Sequence, residues 1–265
     1  MIIGFLGKGG SGKSTLATLF VKHLLHSGKS VLAVDADYNM DLADNLGQES
    51  EMNYISQGYT DIIDHMNTYS SVNDDKGSYF SLSPIDAITE RYSVPIENNL
   101  RLMVAGPHTE EMMRGKGCSH GLTQPLKTYL PFLEVKDTEV VVVDEKAGTD
   151  GVGTGITVGF TSAVVVEATK HGIKSAQQIS QMLKFYNTPC IFVLNKVRDT
   201  AIEIEAEKIL GTKPVISIPF SEDIAFGDAS SYKVLLSTLL THLEKIEDTR
   251  KERKALYEKE LNNLK

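Results

Sequence analysis

The chain has 265 residues, 41% of them hydrophobic, enough to bury a substantial core within one α/β domain covering residues 1–265. Its 27 basic and 35 acidic residues leave a formal net charge of -8, which disfavours a nonspecific electrostatic hold on nucleic acid or anionic lipid, so neither is an expected partner. Two cysteines, Cys118 and Cys190, are too few for a disulfide framework, and no run of about 18 apolar residues marks a membrane span, so a cytoplasmic setting is expected.

Met1 to Leu6 is a short apolar run with no basic residue before it, which predicts a strand and not a leader. Similar β-branched runs recur between segments of helical period: Val31 to Asp35, Leu100 to Val104, Val140 to Asp144, Ala163 to Val166, Ile191 to Asn195 and Val215 to Ile218. They are apolar throughout instead of alternating, as in strands covered on both faces. The expected architecture is α/β, a mostly parallel twisted sheet with helices on both faces and ligands beyond the carboxyl ends of the strands. Between residues 48 and 98 Tyr, Asn, Ser and Asp dominate, and the segment reads as a polar excursion from the core. Leucines at 235, 236, 239, 240 and 243 predict a core-docking helix, and residues 244–265 a charged helical extension.

Gly7-Lys8-Gly9-Gly10-Ser11-Gly12-Lys13-Ser14 satisfies G-x-x-x-x-G-K-[ST] between a predicted strand and a helix beginning near Lys13. Glycines at these places let backbone N–H groups converge on phosphate oxygens, and the helix N-terminus adds partial positive charge. Lys13 is expected at the β/γ-phosphates of ATP and the Ser14 hydroxyl on Mg²⁺. Gly7, Gly9 and Gly12 also satisfy G-x-G-x-x-G, with Asp35 ending the next strand where a ribose-binding carboxylate would stand. That nicotinamide alternative gives Lys13-Ser14 no role, whereas a nucleotide triphosphatase needs both.

Lys8 to Thr15 resembles the deviant phosphate loop of the ATPase family that includes the nitrogenase iron protein, arsenite-pump ATPases, and septum-site and partitioning ATPases. The resemblance implies a P-loop ATPase with Gly9, Gly10, Ser11, Gly12, Lys13, Ser14 and Thr15 around the nucleotide. It also implies a homodimer in the ATP-bound state, in which Lys8 reaches the partner's phosphates; otherwise Lys8 is a solvated loop lysine. Val31 to Asp37 resembles the strand ending in D-x-D, the first switch, with Asp37 carried over as the residue that activates the attacking water. Asp35 and Asp41 are carried over as supports of Mg²⁺ or its waters, and Tyr38 stands where the family usually has proline. Asp144 closes an apolar strand in the magnesium's outer shell, and Asp144-Glu145-Lys146-Ala147-Gly148 resembles the second switch, D-x-x-A-G, whose glycine N–H senses a γ-phosphate. Asn195 matches the adenine-binding asparagine, the alternative being a satisfied loop amide, and Pro219-Phe220 match the loop that closes over the base.

Arg114-Gly115-Lys116-Gly117-Cys118-Ser119-His120-Gly121, followed by Leu122, Leu126 and Leu130, resembles the metal-gathering segment of the carbon monoxide dehydrogenase maturation ATPases, which insert nickel. There the cysteines are spaced C-x-C; here His120 replaces the second. Two chains then offer two thiolates and two imidazoles, a set acceptable to Zn²⁺ or Ni²⁺ at a dimer interface; the alternative is an ordinary Cys and His. The implied function is an ATP-dependent maturation factor for a client metalloenzyme. Alternatives are a partitioning or septum-placement switch and, disfavoured by one available thiol per subunit, an electron donor carrying an iron–sulfur cluster.

Overall fold

A computed structural model describes residues 1–70, 77–116, 119–221 and 229–246. In chain order, β1 (Ile2–Gly7) leads into α1 (Lys13–His26), and β2 (Ser30–Asp35) into α2 (Asp41–Asn45) and α3 (Tyr59–Ser70). Then come β3 (Phe80–Ser81), α4 (Ala87–Tyr92), β4 (Ser93–Glu97), β5 (Leu100–Val104), α5 (Glu110–Met113), α6 (Gln124–Tyr129) and β6 (Leu133–Glu134). The last elements are β7 (Glu139–Asp144), α7 (Thr149–Thr154), β8 (Thr161–Glu167), α8 (Lys170–Phe185), β9 (Cys190–Val197), α9 (Ala201–Leu210), β10 (Ile216–Pro219) and α10 (Lys233–Leu243).

Eight strands form one sheet in the order β10-β9-β8-β1-β7-β2-β5-β4, and β3 pairs with β6 apart from it. All pairings in the large sheet are parallel except β4 with β5. The seven strands expected from apolar runs are all present; the inner ones are buried on both faces, whereas the edge strand β10 leaves Ser217 half-buried and Pro219 exposed. Along β1, Ile3 and Phe5 face α1 and α10, while Ile2 and Leu6 face the opposite layer; β7 does the same with Val140 and Val142 against Val141 and Val143. With such strands fully buried, truncating a side chain as large as Phe5 or Phe20 to alanine costs about 3–5 kcal/mol.

The sheet order decides between the two readings of the glycine loop. A dinucleotide-binding fold places its second strand beside the first. Here β7 lies between β1 and β2, pairing with both, so its terminal Asp144 stands level with Phe5 on one side and Asp35 on the other. A carboxylate from a distant part of the sequence is thus delivered beside the phosphate loop, which the nicotinamide reading does not require.

Residues 48–98 depart from the expected excursion. Ile55, Ile62, Met66, Phe80, Ile88 and Tyr92 are buried in the layer that covers β2, β5 and β7, and β4 adds the antiparallel edge. Their apolar residues are few and widely spaced among polar ones, so each short element contributes one or two anchors and no continuous stripe. The leucines after Tyr232 form α10 as expected, with Leu236, Leu239 and Leu243 buried. Of the charged extension only residues up to 246 are described. Among the described residues no helix is long and apolar enough to cross a membrane.

Candidate functional site

Gly10 and Gly12 take positive φ values of 77° and 89°, left-handed conformations that cost a non-glycine residue energy. Gly12 is the N-cap of α1 and carries no side-chain cap, so the first-turn N–H groups of the helix open onto the loop. Such N–H groups and the helix dipole together attract an anion. A Cβ at Gly9 would meet only Ala147, at 3.8 Å, whereas one at Gly7 would lie 2.6 Å from the Val165 carbonyl oxygen. The loop is therefore tight against the sheet and open on its outer side.

Inside this curve the Lys13 ammonium, 7% exposed, donates to Asp144 Oδ1 at 2.7 Å and lies 3.8 Å from Asp37 Oδ2. It also approaches Ser14 Oγ at 3.4 Å. Asp144 is fully buried; burial raises its pKa, and Lys13 opposes that shift. Its other oxygen, Oδ2, is buried without a hydrogen-bond partner among the described residues. A buried carboxylate oxygen left bare is costly unless something arrives to use it. Ser14, Asp37 and Asp144 are oxygen donors of the kind Mg²⁺ prefers, directly or through water, and the orphaned oxygen stands among them. The residues present thus fit a magnesium nucleotide.

The two carboxylates of the D-x-D sequence part company. Asp35 is fully buried and accepts from the Asp37 N–H at 3.1 Å and from the Ala43 N–H at 2.9 Å, bracing the turn into α2. Burial, with the nearby Asp144 charge second, pushes its pKa up to about 7. Each of its oxygens serves a backbone N–H and keeps a second lone pair. Asp37, two residues on, turns its side chain to Lys13. Asp41 is exposed in the first turn of α2, where its charge suits the helix N-terminus.

Behind the loop, Asn195 Nδ2 donates to the Ser11 carbonyl at 2.8 Å and its Oδ1 accepts from the Lys196 N–H at 2.9 Å. The amide thereby buttresses the loop, with one N–H and one lone pair left over. Lys196 Nζ donates to the Gly10 carbonyl at 2.6 Å, a role the sequence reading gave to no residue. Phe220, following the exposed Pro219, ties its N–H to the Val197 carbonyl at 2.8 Å, and the Arg198 guanidinium stands 3.4 Å from its ring centre.

The stretch expected to form the second switch lies against the loop. The Gly148 N–H, expected to meet a γ-phosphate, donates here to the Gly7 carbonyl at 2.8 Å. Glu145, fully buried, accepts from the Thr157 N–H at 3.1 Å and Oγ1 at 2.7 Å; burial pushes its carboxyl up to about 7. Nothing in its position after a strand signalled that tether. Lys146, 5% exposed, has its pKa lowered to about 8 by burial, against the attraction of Asp37 and Asp150. Lys8 pairs with Glu167 of its own chain at 3.6 Å, the two side chains 44% and 25% exposed.

Of the expected transition-metal pair, Cys118 lies outside the described residues. His120 is described only in its backbone, within a 3₁₀ turn at Ser119–Thr123. Among the described residues no group of three or more His, Cys, Asp or Glu could hold a metal ion. In place of one helix after Cys118 there is the short α6 between two 3₁₀ turns, Ser119–Thr123 and Leu130–Phe132, which carry Leu122, Leu126 and Leu130 in turn, all three buried.

Comparison with known proteins agrees with this geometry. An uncharacterized ATP-binding protein of Methanocaldococcus jannaschii is 27% identical over 228 residues, 84% of this chain and 90% of that protein. The carbon monoxide dehydrogenase accessory protein CooC of Rhodospirillum rubrum is 28% identical over 189 residues, 69% of each. Among solved structures, the septum site-determining protein MinD of Pyrococcus horikoshii OT3, complexed with Mg-ADP, superposes with a TM-score of 0.62 at 16% identity. That match covers 92% of this chain and 96% of that one. The family profile of the CobQ/CobB/MinD/ParA nucleotide binding domain matches residues 2–234. With a phosphate loop set beside two strand-end carboxylates, and with that profile spanning most of its length, the chain belongs to the CobQ/CobB/MinD/ParA family of nucleotide-binding domains.

Proposed function

We propose that the chain is a magnesium-dependent ATPase that dimerises around ATP and serves as a maturation factor for a metalloenzyme, of the nickel-inserting type. The observation that carries the ATPase reading is the cluster of buried Lys13 and Asp144 with the half-buried Asp37, Asp144 Oδ2 having no hydrogen-bond partner among the described residues. In this reading Lys13 leaves Asp144 for the β/γ-phosphates, Ser14 and Asp144 hold Mg²⁺ directly or through water, and Asp37 orients the attacking water. Bound there, Mg²⁺ neutralises charge on the phosphate oxygens. Thr15 and the loop's N–H groups hold phosphate, while Asn195, Pro219 and Phe220 flank the base.

Lys8 serves the partner's site in the dimer. Its pair with Glu167 is partly exposed, so breaking it costs about 0–1 kcal/mol, little enough for a partner's phosphates to displace it. The maturation role rests on the likeness to the CooC protein and on Arg114 to Gly121, with Cys118 and His120 from two chains as the ligands of Ni²⁺ or Zn²⁺. A partitioning or septum-placement switch is the second reading, favoured by the shared fold of MinD and disfavoured by the acidic net charge.

Size-exclusion chromatography of Asp37→Asn tests the proposal: a dimer is expected with ATP and Mg²⁺ and a monomer without, while Lys8→Ala binds ATP but hydrolyses it slowly. Monomers throughout at high protein concentration refute the dimer. Calorimetry with Ni²⁺ and Zn²⁺ separates the two roles. One ion per two chains, lost in Cys118→Ser, is expected for the maturation factor, and no difference between wild type and that variant removes it.

A further inference from the structure

Tyr38 immediately follows Asp37 and stands where the resembled family usually carries proline. Its ring packs against the His108 imidazole, centroids 4.2 Å apart at 52°, and the Lys146 ammonium sits 3.8 Å from the ring centre. Lys146 is only 5% exposed. An ammonium withdrawn from water onto an aromatic face gains more from the ring quadrupole than one on the surface. The three residues come from different loops: Tyr38 follows β2, Lys146 follows β7 and His108 follows β5, three neighbouring strands in the order β7-β2-β5. Their loops emerge side by side at the carboxyl edge, and the stack joins them beside Asp37.

We propose that Lys146 is a positioning residue whose ammonium, seated on the Tyr38 ring, ties the second switch to the first and holds the Asp37 carboxylate in place for hydrolysis. This rests on the ATPase reading given above. Asp37 Oδ2 lies 3.8 Å from Lys13 and its Oδ1 is 3.4 Å from the Asn39 N–H, both too long for firm hydrogen bonds, so its direction leans on how the flanking residue Tyr38 is held. Lys146 and His108 are the side chains on the Tyr38 ring. Proline in its place stiffens the backbone by its own ring; the tyrosine achieves the same end by contact, with a partner that belongs to the other switch.

Two experiments test this. In steady-state hydrolysis, Lys146→Met keeps the packing and removes the charge, and kcat is expected to fall about tenfold while KM for ATP changes less than about twofold. Lys146→Arg, whose guanidinium also stacks on aromatic faces, should restore most of the rate. Tyr38→Leu should match Lys146→Met, and the double variant should be no slower than either single one, since both remove the same contact. Losses that multiply, or a rise in KM in place of a fall in kcat, overturn the proposal.

The second experiment needs no turnover. The chain has no tryptophan, so Tyr38→Trp introduces a single indole at the stack. Its emission in the nucleotide-free protein should shift when Lys146→Met is added, and should shift again with Mg²⁺ and a non-hydrolysable ATP analogue. Emission unaffected by Lys146→Met removes the contact and the proposal with it. A wild-type protein that turns over no ATP while this shift is present refutes the ATPase reading and leaves the contact standing.

Discussion

The phosphate loop and the turn after β2 lie side by side at one edge of the sheet, yet they are held by different means. The loop is clamped through main-chain carbonyls: Asn195 takes that of Ser11, Lys196 that of Gly10, and the Gly148 N–H that of Gly7. A trans peptide sets its C=O and the following N–H on opposite sides, so clamping Ser11 and Gly7 from behind turns the N–H groups of Gly12 and Lys8 the other way. The turn after β2 is braced by the buried Asp35, by the Ala36 N–H on the Asp144 carbonyl at 3.0 Å and by the Met40 N–H on the Asp37 carbonyl at 3.2 Å, but its functional side chains are set by one another: Asp37 toward Lys13, and Tyr38 against His108 and Lys146. A cradle fixed through its backbone is preformed for its ligand, whereas a turn whose side chains are set by one another can be re-set when those side chains find new partners.

The largest effect should come from the residue that joins the two regions. Lys13→Ala removes the cation that faces both Asp144 and Asp37, and ATP turnover is expected to drop by about 10² or more, measured as phosphate release. Turnover within a few fold of wild type would break the comparison at its centre. Asn195→Ala attacks the clamp alone. It leaves the Ser11 carbonyl without its donor, at a cost of about 1–3 kcal/mol in thermal or urea unfolding, with weaker ATP binding by calorimetry. If stability falls while ATP affinity holds, the loop is not preorganised by its clamp. The smallest effect belongs to the far end of β9. Burial pushes the Cys190 thiol up to about 11, so at pH 8 only on the order of a thousandth is thiolate. In a Cys118→Ser background, alkylation should be slow in the folded protein and fast in urea, and Cys190→Ser should leave ATP binding unchanged.

What could be read in the sequence follows how local its cause is. The phosphate loop and the strands of the central sheet declare themselves through glycine spacing and unbroken apolar runs, each of which is a property of a few adjacent residues. Asp144 was legible because a carboxylate ending such a strand is costly without a purpose. Asp35 ends its strand just as Asp144 does, and its different employment, on the Ala43 N–H, depends on where α2 turns back. The Lys196 ammonium reaches a carbonyl 186 positions away, and Lys146 finds Tyr38 only because β7 and β2 are neighbours. Residues 48–98 hid their contribution to the core because the helical spacing is carried by single i,i+4 pairs, Ile62 with Met66 and Ile88 with Tyr92, set among polar residues and too short to form a stripe.

The pairing of Lys13 with Asp144 has a consequence for how the site fills. With no ligand, the lysine is the counter-charge of two carboxylates, Asp144 and Asp37, which repel one another. Nucleotide that drew Lys13 away by itself would strand both acids, and a divalent ion entering by itself would meet a lysine already seated at Asp144. In the proposed ATPase each ligand would remove the obstacle to the other, a heterotropic linkage in which metal raises nucleotide affinity and nucleotide raises metal affinity by the same factor. In this description the single amine acts as a placeholder for magnesium, and the arrival of the metal–nucleotide complex is an exchange of one positive charge for another.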